Sequence, residues 1–421
     1  MARIAFAWEL GGEFGHAIAC NETARVLRRR GHEVAFMFRE LHQLDFLTDC
    51  AADDIYQAPV SLAEGRGMGQ PASYADILIG CGYDSPQHIA GMLGGWLSLL
   101  ERWKPDLLVA DSAPTALVAA WMLGLRRVNY GNGFGIPPPL SPLPSFRFDE
   151  PVAAEQLLRS DAHALASING ALARYGVAPL GALAQVFSSD EDFLTTFPEL
   201  DSYGKRPRTG YWGPRYSVDQ GVTAHWPAGH GKRILVYVKQ NLMDIDALIA
   251  LLAASPHRVA AFSPELDPKR AARLRSPMRI VSERPMRLAP LLPETDLFIS
   301  HGGNVSVGTL MAGVPQLVVP TQYEQYITAR RIEQLGAGLW VNPKSSAQDI
   351  ATALQRLLSD PAFARNAKAY ARRYPQYSPG EAQRRVVQRM EEIVARPPRN
   401  GPLPRLGAES ILPRTPPGAP A

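Results

Sequence analysis

Short apolar runs rich in β-branched residues alternate along the chain with stretches whose apolar positions recur every three or four residues. Near the start, Ile4–Trp8, Glu22–Arg30 and Val34–Phe38 read as strand, helix and strand, with Gly31 closing the helix. Leu107–Ala110 and Val128–Tyr130 are further strands, and Ala113–Leu123 between them is a crossover helix. This alternation predicts a parallel sheet, and right-handed crossovers make it a doubly wound one. The stretch from Gly131 to Pro144 carries Pro137, Pro138, Pro139, Pro142 and Pro144, so it is expected to be an extended loop on the ligand crevice. From Val152 to Leu183 the pattern is helical, broken near Gly176 and Pro179.

Between Pro198 and Lys232 periodicity lapses and Pro and Gly are frequent; the run Ile234–Val238 then opens a second series. Its later strands are Val259–Phe262, Arg279–Val281, Leu297–Ser300, Gln316–Val319 and Leu339–Val341, with room for helices between them. The fold class expected is therefore α/β, with Rossmann-like domains over 1–215 and 216–380. A helix over 381–396 follows, then a tail over 397–421 whose Pro, Gly and Arg content reads as disordered.

Composition narrows the function classes. With 421 residues, 46% hydrophobic and 20% charged, the chain is globular and long enough for two cores. Its 44 basic and 40 acidic side chains are interspersed, so the net charge of +4 marks no nucleic-acid surface. Arg28-Arg29-Arg30 reads as the cationic last turn of a helix. Cys20, Cys50 and Cys81 have neither disulfide-framework nor zinc spacing. No secretory or membrane-spanning run is legible, so a soluble, cytoplasmic protein is expected, with peripheral membrane contact left open.

The densest chemistry lies in Thr295–Gly338. Strand Leu297–Ser300 runs into His301-Gly302-Gly303-Asn304, followed by Gly313-Val314-Pro315 and Glu324-Gln325. Two glycines between a strand and a helix let backbone N–H groups approach a diphosphate at the helix N-terminus, and His301 adds a donor. The helix dipole there favours charge gathering on a departing diphosphate. Taken alone, His-Gly-Gly is equally a tight turn, and Glu324-Gln325 a solvated loop.

As a constellation this segment resembles the donor-binding signature of the nucleotide-sugar glycosyltransferases of the GT-B fold, the family of the UDP-glycosyltransferases, macrolide glycosyltransferases and rhamnosyltransferases. The resemblance implies two domains facing across a cleft, with a nucleotide-sugar donor on the second and a small acceptor on the first. It implies that His301, Gly302, Gly303, Asn304 and Ser306 hold the diphosphate, and that Glu324 and Gln325 bond the donor sugar. No metal or resident cofactor is implied.

Three departures from the family's pattern matter. The family's ribose-binding glutamate position falls on Gly308 or Thr309. Its base-stacking tryptophan position falls on Glu283, with Arg284, Pro285 and Met286 following, and Met286 is counted among the donor-binding residues. After the first strand of the second domain stands Lys239-Gln240-Asn241, where Lys239 is either a diphosphate partner or an exposed loop residue.

In the first domain, Gly11-Gly12-Glu13-Phe14-Gly15-His16 follows the first strand. Gly15-His16 resembles the family's Gly-His, whose histidine deprotonates the acceptor and is oriented by an aspartate on a later strand, here Asp111. An imidazole of pKa near 6.5 suits that task. The expected reaction is an inverting hexosyl transfer from a UDP- or dTDP-sugar to a hydroxyl, with Glu13 as a lesser base. The acceptor is expected among Trp8, Phe14, Trp96 and Phe134–Pro139, which suggests a lipid or natural-product aglycone. Alternatives are a nucleotide-sugar epimerase of the same fold and a non-catalytic partner subunit. The G-G-x-x-G spacing is not a dinucleotide fingerprint. Asp244-Ile245-Asp246, a possible metal pair, reads better as the acidic first turn of a helix.

Overall fold

In the computed structural model, the residues described are 1–12, 14–46, 49–60, 70–207, 210–216, 218, 221–238, 245–263, 266–397 and 409–410. They form two compact units, Met1–Gly213 with Gly380–Ala421, and Pro214–Pro379.

The first unit is built on β1 (Arg3–Trp8), α1 (Phe14–Arg29), β2 (Glu33–Phe38), β3 (Asp54–Gln57), α2 (Tyr74–Leu78), α3 (Pro86–Trp103), β4 (Leu107–Asp111), α4 (Pro114–Met122), β5 (Arg127–Gly131), β6 (Leu140–Ser141), α5 (Ala154–Ala173) and β7 (Glu191–Leu194). Its six-stranded sheet has the order β3-β2-β1-β4-β5-β7, every pairing parallel. The central strands are buried along nearly their whole length, with charged residues only at their ends, because helices cover both faces, as parallel sheets require. β1 and β4 lie side by side where the strand order reverses, with Trp8 opposite Asp111.

The second unit repeats the plan with β8 (Arg233–Tyr237), α6 (Ile245–Ala254), β9 (Arg258–Phe262), α7 (Pro268–Leu274), β10 (Arg279–Ser282), β11 (Leu297–Ser300), α8 (Asn304–Met311), β12 (Gln316–Val318), α9 (Tyr323–Gln334), β13 (Gly338–Trp340), α10 (Ala347–Ser359) and α11 (Pro361–Ala371). Its sheet order is β10-β9-β8-β11-β12-β13, again parallel throughout. Both sheets thus follow the doubly wound order, whose ligand crevice opens at the carboxyl ends of the strands beside the reversal.

The last long helix, α12 (Pro379–Val394), belongs almost wholly to the first unit. Val386, Val387, Met390 and Ile393 recur on one face and enter that unit's core. Burial of side chains of this size contributes about 1.5–3 kcal/mol each. Arg389 reaches Glu191 at 2.7 Å, and Glu391 takes both Arg30 at 2.6 Å and His32 at 3.0 Å. Within the stretch read as a disordered tail, β14 (Glu409–Ser410) pairs in parallel with β6. The rest of that stretch beyond residue 397 lies outside the described residues. Among the described residues no helix is long and apolar enough to cross a membrane.

Candidate active site

β1 ends on Trp8, and the chain turns through Gly11 at φ 82° into α1, which places His16 in the first helical turn. The imidazole stacks on the buried Trp8 ring, with centroids 5.0 Å apart and planes 19° from parallel. The indole is fixed in turn by Nε1 donating to Leu10 O at 2.9 Å. His16 Nδ1 pairs with Asp111 Oδ1 at 3.0 Å, and the Cys20 thiol lies 3.8 Å from Oδ2. The aspartate side chain is 3% exposed and the histidine 19%, so the carboxylate stays inside while the ring reaches the surface. A Cβ at Gly11 would stand 3.1 Å from His16 Nε2. Glycine therefore keeps that nitrogen approachable.

Directly after β1 comes a carboxylate the sequence reading did not single out. Glu9 is 2% exposed, and its oxygens accept from Tyr83 Oη at 2.9 Å, Thr115 Oγ1 at 2.6 Å, and the backbone N–H groups of Thr115 at 3.0 Å and Ala116 at 3.3 Å. It thus caps α4 from just past the end of β1, where the helix's own Ala113 has no polar side chain to do so. Burial pushes its pKa up to about 7 against those bonds. The link joining Asp111 to α4 is also constrained: Ser112 has φ 50°, and its carbonyl accepts from Leu10 N at 2.8 Å. The one signal in the sequence was a charge directly after an apolar strand.

The Pro-rich stretch after β5 is held rather than loose. Arg206 forms a two-bond pair with Asp201 at 2.8 and 3.1 Å, and donates to Ile136 O at 2.6 Å and Gly133 O at 3.0 Å. Tyr203 Oη donates to Phe134 O at 3.1 Å. Of the aromatic acceptor wall expected from the sequence, Trp8 and Trp96 are corrected to core residues, both fully buried. Large indoles on a central strand and on the inner face of α3 serve packing first. Phe134 is half-buried against Tyr74 and Phe146. Glu13 and the Phe14 side chain lie outside the described residues.

In the second unit, β11 ends at Ser300 and the chain turns through His301 and Gly302 to cap α8 with Gly303. Gly302 has φ 91°, and a Cβ there would meet Val318 Cγ1 at 3.0 Å and Gln325 O at 3.1 Å. Only glycine fits. Ser300 Oγ accepts from Gly302 N at 3.2 Å and bonds Ser306 Oγ at 2.6 Å, while Gln316 Nε2 donates to Ser306 O at 2.7 Å. Ser306 is thus wholly buried and braces the turn from beneath. His301 is half-buried, with the Tyr237 ring 6.5 Å away, and Asn304 opens the helix half-exposed.

Of the sugar-contact pair, Glu324 is half-buried in the first turn of α9. Gln325 is 5% exposed, with Oε1 accepting from Thr321 N at 2.9 Å and Thr321 Oγ1 at 3.0 Å. That oxygen is occupied in shaping the helix start. Met286 is 2% exposed and packs in a cluster with Leu288, Leu291 and Phe298, so as a donor-binding residue it is corrected to a core residue. An apolar thioether after a strand is drawn into the sheet's covering layer. Lys239 and Asp244 fall outside the described residues. Asp246 is paired with Arg270 at 2.8 Å and Arg273 at 2.6 Å, and these guanidinium groups hold its carboxyl below the usual range.

Two doubly wound sheets, each with its candidate residues where the strand order reverses, define a GT-B-type protein. Residues 248–393 match the family described as erythromycin biosynthesis protein CIII-like, C-terminal domain. The chain is 42% identical over 73 residues to the NDP-glycosyltransferase YjiC of Bacillus subtilis, a stretch covering 17% of this chain and 18% of that protein. It is 26% identical over 329 residues to 4'-demethylrebeccamycin synthase of Lentzea aerocolonigenes, covering 70% of this chain and 74% of the relative. In fold it is similar to the spinosyn rhamnosyltransferase SpnG complexed with thymidine diphosphate. The TM-score is 0.63 at 18% identity, over 92% of this chain and 100% of that one. Over residues 248–393 the chain thus matches the CIII-like C-terminal-domain family, and it is similar in sequence to glycosyltransferases and in fold to those of the GT-B type.

Proposed function

We propose that the protein is an inverting, metal-independent glycosyltransferase, moving a hexose from a UDP- or dTDP-sugar to a hydroxyl of a small apolar acceptor. The observation that carries the reading is the 3.0 Å bond between His16 Nδ1 and Asp111 Oδ1, with Nε2 beside the bare Gly11 backbone. With the Nδ1 proton donated to the carboxylate, Nε2 carries the lone pair. That nitrogen takes the proton of the acceptor hydroxyl, whose oxygen forms the new bond to the anomeric carbon as the bond to the diphosphate oxygen breaks. One displacement inverts the configuration. The proton then leaves His16 to solvent.

The leaving diphosphate gathers charge at the start of α8, where the N–H groups beyond Gly302 and the helix dipole favour an anion. His301 adds a donor, and Glu324 takes hydroxyls of the sugar. The dTDP alternative gains weight from the thymidine diphosphate named with SpnG. Asp246, held by two arginines, is a poor metal ligand, which favours the metal-free reading. A cytoplasmic location is part of the proposal.

The test is incubation of the purified chain with dTDP- and UDP-sugars and a panel of aglycones, with product anomers assigned by NMR. Glycoside of inverted configuration is the expected product. Interconversion of donor sugars without any acceptor would point to an epimerase instead, and inert protein to a non-catalytic subunit.

A further inference from the structure

We propose that the ring of Tyr216 is the surface against which the nucleoside of the bound diphosphate packs, making Tyr216 a nucleoside-binding residue of the second unit. This rests on the donor reading above and adds to it the recognition of the nucleoside. Gly308 stands inside α8, where glycine is the least favourable residue short of proline. A Cβ there would lie 2.6 Å from Tyr216 Cδ2 and 3.0 Å from Cγ. The helix is bare at that point because the tyrosine ring lies across it.

The position of the ring is fixed by its surroundings. Two residues on, Val218 O accepts from Leu288 N at 2.7 Å and Ala289 N at 2.8 Å. Val222 then exchanges bonds with Pro285 O at 2.8 Å and Arg287 N at 2.9 Å. The Tyr216 segment is therefore tied to the loop after β10. On its other side the Tyr377 ring stands 6.5 Å away, its hydroxyl bonded to Pro214 O at 2.5 Å.

Five residues separate Gly303, which caps α8, from Gly308, roughly 7 Å along the helix at 1.5 Å per residue. A nucleoside lying back along α8 from a diphosphate on that cap meets Tyr216 within about one and a half turns. Thr309 offers no competing polar contact, because it is fully buried and its Oγ1 donates to Val305 O at 2.8 Å. Tyr216 is half-buried, so part of the ring remains open to a ligand, and burial pushes its hydroxyl up to about 12, which keeps it neutral beside an anion. Aromatic faces accept any base, and the ring's fixed edge limits the size of what stacks there.

Titration calorimetry on the full chain tests this, with dTDP, UDP and inorganic pyrophosphate as ligands for wild type, Tyr216→Leu and Tyr216→Phe. Leucine keeps bulk against Gly308 while removing the aromatic face, and thermal melts check that the variants fold. The expected result is about tenfold weaker nucleoside diphosphate binding in Tyr216→Leu, pyrophosphate affinity within about twofold, and near-wild-type behaviour in Tyr216→Phe. Unchanged nucleotide affinity in Tyr216→Leu, or equal weakening for pyrophosphate, overturns the role of Tyr216 alone. Failure of wild type to bind any of the three ligands overturns the donor reading, and this inference with it.

Discussion

The two sheets share one strand order and place their candidate residues at the same topological point, yet the groups they put there differ in kind. At the β1/β4 reversal stand titratable groups: His16 on Asp111, and the buried Glu9 directly after β1. At the β8/β11 reversal stands a glycine turn whose chemistry is mostly backbone, with Ser300, Ser306 and Gln316 bracing it. One arrangement is suited to moving a proton, the other to holding an anion. The same topology thus supports two tasks because the residues that follow the strand ends differ in kind.

The sharpest way to break this comparison is at His16. Its replacement by alanine should lower kcat by about 10²–10⁴-fold. Asp111→Asn should follow in the same direction by loss of the working tautomer, as steady-state kinetics with saturating donor would record. On the other side, Gly302→Val forces a β-branched residue to φ 91° and drives its side chain toward Val318 and Gln325. A loss of roughly 1–3 kcal/mol in stability is expected for a strained backbone position, measured by urea unfolding, together with weaker nucleotide binding.

Glu9 gives a smaller, pH-dependent test. Its pKa is raised from 4.5 to about 7 by burial, so the folded state prefers the protonated carboxyl. Its contribution to stability is complete below pH about 4.5 and is lost as pH rises through about 7, a change of roughly 3 kcal/mol at 1.36 kcal/mol per unit. In Glu9→Gln that part of the pH dependence should vanish from denaturation curves between pH 4.5 and 8; an unaltered profile would show that Glu9 is not its source. The smallest effect is expected at Asp246. Because its carboxylate already serves two arginines, transferase activity in EDTA and in Asp246→Asn should match the wild type.

Much of the architecture was legible in the sequence. All six strands of the second unit fall within a residue or so of their apolar runs, since strands buried on both faces have a strong hydrophobic signal. The eighteen-residue α3 is absent from the elements the pattern predicts, although Ser85 and Pro86 give it a regular start. Its Gly94 and Gly95 lower helix propensity and break the periodic signal. Their reason is tertiary: a Cβ at Gly95 would lie 2.6 Å from Pro59, and one at Gly94 2.9 Å from Tyr175 Oη. β3 and β7 are likewise missing from the sequence reading, being short edge strands carrying Asp54, Glu191 and Asp192.

The candidate site divides in the same way. His16, Asp111, His301 and the glycines stand where chain direction changes sharply, and motif and position mark them together. Glu9 and Tyr216 gain their meaning from partners 74 and 92 residues away, Tyr83 and Gly308, which no local pattern exposes. Ser306 and Met286 show the converse: residues inside a motif whose side chains turn inward to support it.

The division of labour is tested most directly by titrating dTDP and UDP into His16→Ala and His301→Ala alongside wild type. The account predicts nucleotide affinity within about twofold of wild type for His16→Ala, and a loss of roughly tenfold for His301→Ala, as expected where a charge-assisted donor is removed. Equal affinity losses in the two variants, or a loss confined to His16→Ala, would contradict it.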